Sequence, residues 1–255
     1  MRTTDFAVFR LTDMCGRYGF GNPARLNELN LGVSFPPMDA RFNVAPTQPV
    51  PLVLNSRTGE RVVTMARWGL VPFWADDPAV GSRMINARGD TVRTKPAFKD
   101  AFQRRRALMP ADLFYEWQQS EGTRYRQPWC IRMPDDAPFV FGALWDRWKP
   151  QDSEKDAEWL ISCTVVTTEP NAVMKPIHDR MPLIIPAEHR DAWLDPSTSE
   201  DDAYSLIKPY EGEMIAYQVG RLVNSPNNED PQCIASMSDE ERDSPERYVQ
   251  GGLFG

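Results

Sequence analysis

The chain has few of the residues that most often bind metals or form disulfides. Its 255 residues include only two histidines and four cysteines. They are His178, His189, Cys15, Cys130, Cys163 and Cys233. Two histidines exclude a three-histidine zinc site, and the paired histidines of a metalloprotease helix are absent. We therefore expect no metal and no other cofactor. We also expect reduced cysteines, because there is no CxxC pair and a chain of this length needs no disulfide.

Long apolar runs are missing as well. Charged residues or prolines interrupt every stretch before it reaches about 18 apolar residues, which excludes a membrane-spanning helix. Residues 1–13 contain only a short apolar patch, and this patch is too small for a secretory signal. The sequence therefore predicts a soluble, cytoplasmic protein.

Prolines and glycines divide the chain into short segments, which favours strands over long helices. Strands are predicted at 50–55, 62–70, 108–118, 128–133, 139–148, 160–168, 183–185 and 214–223. Helices are predicted at 23–30, 96–105, 186–194 and 201–207. These elements indicate an α+β fold that is mainly β, with a partly closed antiparallel barrel or sheet and peripheral helices. We assign one domain to residues 14–234, a leader to 1–13 and an acidic, disordered tail to 235–255.

Charge is segregated along the chain. The formal net charge of −7 opposes binding to nucleic acid, yet residues 61–110 carry ten basic and four acidic side chains. Residues 191–255 carry 14 acidic and four basic ones. The basic stretch also contains Trp68, Phe73, Trp74 and Phe98, and this combination suits base stacking with phosphate neutralisation. The alternative is a solvated basic face above core tryptophans.

Cys15 has special chemistry if it becomes the amino terminus, which follows if translation starts at Met14 and that methionine is removed. An α-amine has a pKa of about 7.7–8.0 against about 10.4 for lysine, so its reactive free base is far more abundant at neutral pH. The amine can form an imine with an aldehyde, and the neighbouring thiol can then close a thiazolidine ring. The alternative is that Cys15 is a small buried hydrophobic residue.

Two other polar residues could transfer protons. Glu116 lies between Tyr115 and Trp117, so burial could raise its pKa, although it could equally be a salt-bridge partner. His178 precedes Asp179 and could act as an acid or base, or it could be a turn histidine bonded to a main-chain group.

Six short blocks together resemble the SOS-response-associated peptidase family in the same order. They are MCGRY at 14–18, RFNVAP at 41–46, WGLVPFW at 68–74, MINAR at 84–88, FYEW at 114–117 and IHDRMP at 177–182. The resemblance implies a protein that senses abasic sites in single-stranded DNA. It also implies a covalent thiazolidine crosslink that shields the lesion during replication, and a nucleoid-associated location.

The resemblance also implies roles for individual residues. Cys15 would be the nucleophile, Asn86 would hold the opened sugar, Glu116 would orient the amine and shuttle protons, and His178 would assist ring opening and crosslink reversal. The DNA-binding residues would be Arg17, Asn43, Arg88 and Arg93 on the backbone and Trp74 on the bases.

The leader is a departure from the family pattern, in which cysteine directly follows the initiator methionine. With the leader attached, Cys15 has an amide nitrogen and cannot form an imine. We therefore expect that the true start is Met14 or that the leader is removed, with self-cleavage by Cys15, Asn86 and Glu116 as one route.

The chain end and the chemistry both leave alternatives. Gln250, Leu253 and Phe254 resemble the short peptides that dock on replication sliding clamps, unless this end is incidental. Besides a crosslinking enzyme with lyase and autoproteolytic activity, the residues would suit a cysteine peptidase or a noncatalytic reader of modified DNA.

Overall fold

The computed structural model describes residues 15–56, 58–119, 126–154 and 156–238. The proposed leader and the candidate clamp residues Gln250, Leu253 and Phe254 lie outside these ranges. Within them, no helix is long and apolar enough to cross a membrane.

The described residues form twelve strands, three short α-helices and six 3-10 helices. The strands are β1 Arg17–Phe20, β2 Arg41–Val44, β3 Pro49–Asn55, β4 Arg61–Trp68, β5 Asn86–Arg88, β6 Arg106–Ala111, β7 Leu113–Gln119, β8 Arg126–Arg132, β9 Phe139–Trp148, β10 Leu160–Thr168, β11 Met181–Pro182 and β12 Ile215–Gln218. The α-helices are α1 Lys99–Arg104, α2 Arg190–Leu194 and α3 Glu200–Ser205. The 3-10 helices are Pro23–Leu29, Pro78–Arg83, Pro134–Asp136, Ala187–His189, Arg221–Asn224 and Pro231–Ile234.

Five strands close into a barrel in the order β10-β4-β3-β6-β9, and β9 pairs back to β10. The β4–β10 pair is parallel and short, at Arg67–Ser162 and Trp68–Cys163, while the other four pairs are antiparallel. Strand β3 is buried over five consecutive residues because one face lines the barrel and the other is covered by the rest of the fold. Closure removes free edges and leaves the end of β10 to pair with β5 and β11.

The second sheet is antiparallel, in the order β12-β8-β7-β1-β2. Tyr18 of β1 joins it to the barrel core, because its ring contacts Trp68 and Phe141 edge-on, with centroids 5.5 and 6.0 Å away. The other face packs against the 3-10 helices near the C-terminus through buried Val223 and Cys233. The sheet therefore lies between the barrel and residues 221–236.

The predicted mainly β, α+β fold is confirmed, but several predicted boundaries are wrong. The predicted strand 108–118 is two strands, because Asp112 donates its main-chain N–H to Gly19 and the chain passes there from the barrel to the second sheet. The predicted strand 214–223 ends at Gln218 and continues as a 3-10 helix. In place of a strand at 183–185 there is β11, and the short strands β1, β2 and β5 were not predicted. Local patterns are weak in strands of two to four residues, whose pairing depends on distant partners.

Candidate functional site

Cys15 and Glu116 form the centre of the site. Arg17 pairs with Tyr115 in the antiparallel β1–β7 register, so the residues just before β1 lie close to Glu116 of β7. The main-chain nitrogen of Cys15 donates to Glu116 Oε1 at 2.6 Å, and the Sγ thiol donates to the same oxygen at 2.7 Å. One carboxylate oxygen therefore contacts both groups of Cys15 that could react with an aldehyde.

Burial sets the protonation of this pair. Burial raises the pKa of Glu116, whereas the nearby charge of His178 and the hydrogen bonds from Cys15 lower it. Burial also raises the pKa of the Cys15 thiol well above its ordinary value, and the charge of Glu116 adds to this, while Arg180 opposes it. The thiol is therefore protonated at neutral pH, and Glu116 is placed to accept its proton.

Cys15 has a left-handed backbone with a φ of 44°. A non-glycine residue in this region carries a strain of roughly 1–2 kcal/mol, because Cβ crowds the neighbouring carbonyl. Buried contacts to Glu116 hold the residue in this conformation. Strain of this kind is often found at reactive positions.

His178 and Arg180 lie at the turn before β11, close enough to influence the charges of Glu116 and Cys15. His178 Nδ1 is 2.8 Å from Asp179 Oδ1 and also lies 3.2 Å from the main-chain N–H of Arg180. The first contact needs a proton on Nδ1 and the second needs a lone pair, so the two compete. Both interpretations of His178 therefore have a contact that fits them.

Arg180 is a site residue that the sequence analysis did not identify. Its side chain is largely buried, and it donates to the carbonyl and hydroxyl of Thr167 at 3.0 and 3.2 Å. Its guanidinium also lies 3.5 Å from Asp90 Oδ2. The IHDRMP block contains Arg180, but only the fold brings the guanidinium close to Cys15.

Strand β5 places Asn86 and Arg88 beside the end of β10. Asn86 is opposite Val165, and Arg88 is opposite Thr167, the residue to which Arg180 is bonded. Arg88 is exposed and forms an ion pair with Asp90, with 2.7 Å between Nη2 and Oδ2. Asp90 therefore lies between two arginines, and the Arg88 hydrogen bond lowers its pKa.

Trp74 is 48% exposed, and Phe73 next to it is 54% exposed. Their turn is held by the Phe73 N–H bonded to Asp146 Oδ2 at 3.1 Å and by Trp148 Nε1 bonded to Ala75 O at 2.6 Å. Two aromatic rings are thus presented to solvent on a supported turn. Trp68 and Phe98, by contrast, are buried core residues.

Arg17 and Asn43 are used inside the protein. Arg17 Nη1 donates to Asn43 Oδ1 at 2.9 Å and to Val223 O at 2.6 Å. Asn43 is fully buried, and its amide nitrogen donates to the carbonyls of Val223, Ser225 and Asn228. The Asn43 side chain is not accessible to DNA in this conformation, because it is buried and donates hydrogen bonds to the carbonyls of this C-terminal segment.

Arg93 interacts with α3 and not with Cys15 or Glu116. Its guanidinium donates to Glu200 and Asp201 of α3, each at 2.7 Å, and lies over the Tyr204 ring. Two carboxylates therefore neutralise Arg93, whereas Arg88 has one. Among the described residues, no group of three or more His, Cys, Asp or Glu could hold a metal ion.

The chain is similar to known proteins over most of its length. The family model described as SOS response associated peptidase (SRAP) matches residues 14–226. Abasic site processing protein YoaM from Bacillus subtilis is 38% identical over 227 residues, covering 87% of this chain and 97% of that protein. Abasic site processing protein HMCES from Pongo abelii is 31% identical over 230 residues, covering 77% of this chain and 65% of that protein.

A crystal structure of a protein from Bacteroides thetaiotaomicron has the same fold. Its TM-score is 0.76 at 26% identity, and the superposition covers 88% of this chain and 100% of that one. The family match extends over most of the chain and includes Cys15, Glu116 and His178. On these grounds the chain belongs to the SOS response associated peptidase (SRAP) family.

Proposed function

We propose that this protein recognises abasic sites in single-stranded DNA and forms a covalent thiazolidine with them through Cys15. The observation that carries the proposal is the contact of a single oxygen, Glu116 Oε1, with both the nitrogen and the sulfur of Cys15. The names of YoaM and HMCES, abasic site processing proteins, support the same substrate. The crosslink would shield the lesion while replication proceeds.

The reaction needs an amine, a thiol and a proton carrier. The ring-opened sugar has an aldehyde at C1′, and attack by the Cys15 amine gives a carbinolamine that loses water to form an imine. The Cys15 sulfur then attacks the imine carbon, and the nitrogen gains the proton that the thiol lost. The net reaction joins the aldehyde and cysteine and releases one water molecule.

Glu116 is the proton carrier in this scheme. It takes a proton from the amine or the thiol and returns one to the departing hydroxyl group. Because burial raises its pKa, the carboxyl group can hold a proton nearer to neutral pH than an exposed glutamate can. The same burial keeps the thiol protonated until the carboxylate removes the proton.

The remaining site residues would hold the DNA. His178 would transfer a proton during sugar ring opening and crosslink reversal, and Asn86 would bind the opened sugar. Arg88, which is exposed, would contact a phosphate, and Trp74 would stack on a base next to the lesion.

The other three residues proposed to bind DNA, Arg17, Arg93 and Asn43, already form hydrogen bonds within the protein. Arg17 and Arg93 could reach phosphates only by weakening their present hydrogen bonds. For Asn43 we propose a supporting role, in which it holds the segment that Arg17 also binds.

The proposal requires Cys15 to be the amino terminus, so residues 1–14 must be absent or removed. As long as Met14 is attached, the nitrogen is an amide and cannot form an imine. The left-handed φ of Cys15 is a strain on that linkage, and cleavage would relieve it. This strain is the observation that favours self-cleavage with Glu116 as the base.

A denaturing gel tests the function directly. Protein that begins at Cys15 should form a stable crosslink with an oligonucleotide that contains an abasic site. A chain that retains residues 1–14, verified by mass spectrometry, should form none. Crosslinking by the verified uncleaved chain would contradict the thiazolidine mechanism. An oligonucleotide with a tetrahydrofuran in place of the abasic sugar is the control, because it has no aldehyde.

The two alternative functions give different results. A cysteine peptidase needs no free amine, so acetylation of the amino terminus should abolish crosslinking but spare proteolysis. A noncatalytic reader should bind and retain DNA equally well after Cys15→Ala. Lyase activity would come from the imine, whose formation permits strand cleavage before the thiol closes the ring.

We also propose that residues 250–254 bind a replication sliding clamp and bring the protein to replicating DNA. The support is the sequence Gln-Gly-Gly-Leu-Phe at this end of the chain. A peptide of the last ten residues should bind the clamp, and Leu253→Ala should abolish binding. Equal binding by the variant peptide would contradict this proposal.

A further inference from the structure

A second aromatic and basic surface lies beside the Phe73–Trp74 turn. It is a groove of about 420 Å³, and its lining includes Phe73, Arg105, Asp146, Arg147, Lys149 and Trp159. Trp159 is 44% exposed. The guanidinium of Arg147 lies 4.7 Å from the centre of its ring, and the Lys149 ammonium lies 4.9 Å from it. We call this set of residues the Trp159 groove.

The groove is continuous with the turn that presents Trp74. Asp146 accepts hydrogen bonds from the Phe73 N–H at 3.1 Å and from Arg105 at 3.3 Å. The Arg105 guanidinium also lies 6.0 Å from the Phe73 ring. Phe73 therefore belongs both to the groove and to the exposed Phe73–Trp74 pair.

Strand β10 gives the distance between the groove and the proposed lesion site. Trp159 directly precedes Leu160, the first residue of β10, and Ser162 pairs with Asp146. Val165 pairs with Asn86, which would hold the opened sugar. The five residue steps of strand from Leu160 to Val165 span about 17 Å. This length corresponds to about five stacked nucleotides at a rise of about 3.4 Å.

We propose that the Trp159 groove binds the single strand that flanks the abasic site, several nucleotides from Cys15. An exposed indole can stack on an unpaired base, and arginine and lysine beside it can neutralise the adjacent phosphates. The inference rests on the proposed function, because it requires the lesion to be held at Cys15 and Asn86.

The charges around the groove affect how strongly it binds DNA. Arg147 forms no ion pair with a carboxylate in the described part of the chain, so its charge is available to a phosphate. The adjoining loop has exposed carboxylates at Asp152, Glu154, Asp156 and Glu158. These carboxylates repel DNA that approaches from solution. The groove should therefore bind free DNA weakly, whereas a strand anchored at the lesion is held at a high local concentration beside it.

Oligonucleotide length tests this inference. Protein that begins at Cys15 is titrated by fluorescence anisotropy with single strands that contain a tetrahydrofuran abasic analogue, which cannot crosslink. A short strand has two nucleotides on each side of the lesion, and a long strand has eight. Trp159→Ala should weaken binding of the long strand about fivefold or more, and binding of the short strand should not change.

Three further variants sharpen the result. Trp159→Phe keeps an aromatic ring and should retain most of the affinity for the long strand. Arg147→Gln should lower the salt dependence of long-strand binding, by about 0.7 in the log–log slope. Ile215→Ala removes an equally exposed apolar side chain on β12 and should leave both strands unaffected.

The outcomes separate the two proposals. If the wild type binds the short strand better than the same strand with a base in place of the lesion, the proposed function stands. The groove is then overturned if Trp159→Ala weakens both strands equally or neither of them. If the wild type shows no preference for the lesion, the proposed function and this inference both fail.

Discussion

The role of Glu116 can be tested by Glu116→Gln, which removes the charge and keeps the shape. In the wild type, Oε1 accepts from the Cys15 nitrogen at 2.6 Å and from the sulfur at 2.7 Å. A glutamine oxygen can still accept these bonds but cannot take up a proton. Loss of a positioned general base typically costs about 10²–10⁴-fold in rate, so we expect crosslinking to slow by about this factor near neutral pH.

The pH dependence makes this prediction more specific. Because burial raises the pKa of Glu116, the wild-type rate should rise with pH as the carboxyl group ionises, above the ordinary range of a glutamate. The variant lacks this ionisation, and only the amine and the thiol titrate. The ratio of wild-type to variant rates should therefore increase from pH 5 towards pH 8 and then level off.

The difference in stability between Glu116→Gln and the wild type should also depend on pH, and it should shift in favour of the variant as pH rises. A carboxyl group whose pKa is raised in the folded state stabilises the protein fully below its unfolded pKa, and this stabilisation is lost as pH rises through the folded pKa. The variant has no such dependence. Its free energy of unfolding, relative to the wild type, should therefore increase with pH, and urea titrations at pH 5 and pH 8 measure this.

The rate assay is a single-turnover crosslinking reaction, quenched at intervals and resolved on a denaturing gel between pH 5 and pH 9. Asp112→Asn is a matched control, because Asp112 is a buried carboxylate between β6 and β7 that bonds to Asn22 and does not contact Cys15. The reasoning is refuted if Glu116→Gln crosslinks within about threefold of the wild type, or if the rate ratio is independent of pH.

The other predictions concern the nucleophile, the stacking residue and the buried asparagine. Cys15→Ser keeps the amine and loses the thiol, so borohydride should trap an imine between this variant and an abasic strand. Without the reductant, no crosslink should survive on a denaturing gel. A stable crosslink without the reductant would contradict ring closure by sulfur. Trp74→Ala should weaken binding to abasic single strands by about 1–3 kcal/mol in anisotropy titrations, with little change in thermal stability because the ring is half exposed. Asn43→Ala should lower the free energy of unfolding by about 2–4 kcal/mol in urea, since the carbonyls of Ser225 and Asn228 lose this buried donor and Val223 O and the Arg17 guanidinium each lose one of their hydrogen bonds. A stability equal to that of the wild type would show that Asn43 does not hold the C-terminal segment.

Several features of the molecule could be predicted from local sequence. Runs such as 139–148 and 160–168 are apolar and β-branched, and they form β9 and β10 at those positions. The blocks around Cys15, Glu116 and His178 pointed to one site, and the fold brings these residues together although they are distant in sequence. The short β5, two of whose three residues are Asn86 and Arg88, has no strand pattern of its own and forms because β10 offers an edge.

The sequence by itself determined the mainly β class, and it singled out Cys15 as the proposed nucleophile from the chemistry that an amine and a thiol on adjacent carbons can perform. These properties depend on residue type and short-range pattern. Only the tertiary structure decided that Trp68 is buried and Trp74 is exposed, and that Asn43 holds a C-terminal segment. It also decided that Arg180 lies close enough to Cys15 for its charge to oppose the rise in the pKa of the thiol that burial causes. Burial, hydrogen bonding and electrostatic shifts depend on atoms that approach through space, often from residues more than a hundred positions apart, and no local pattern contains that distance.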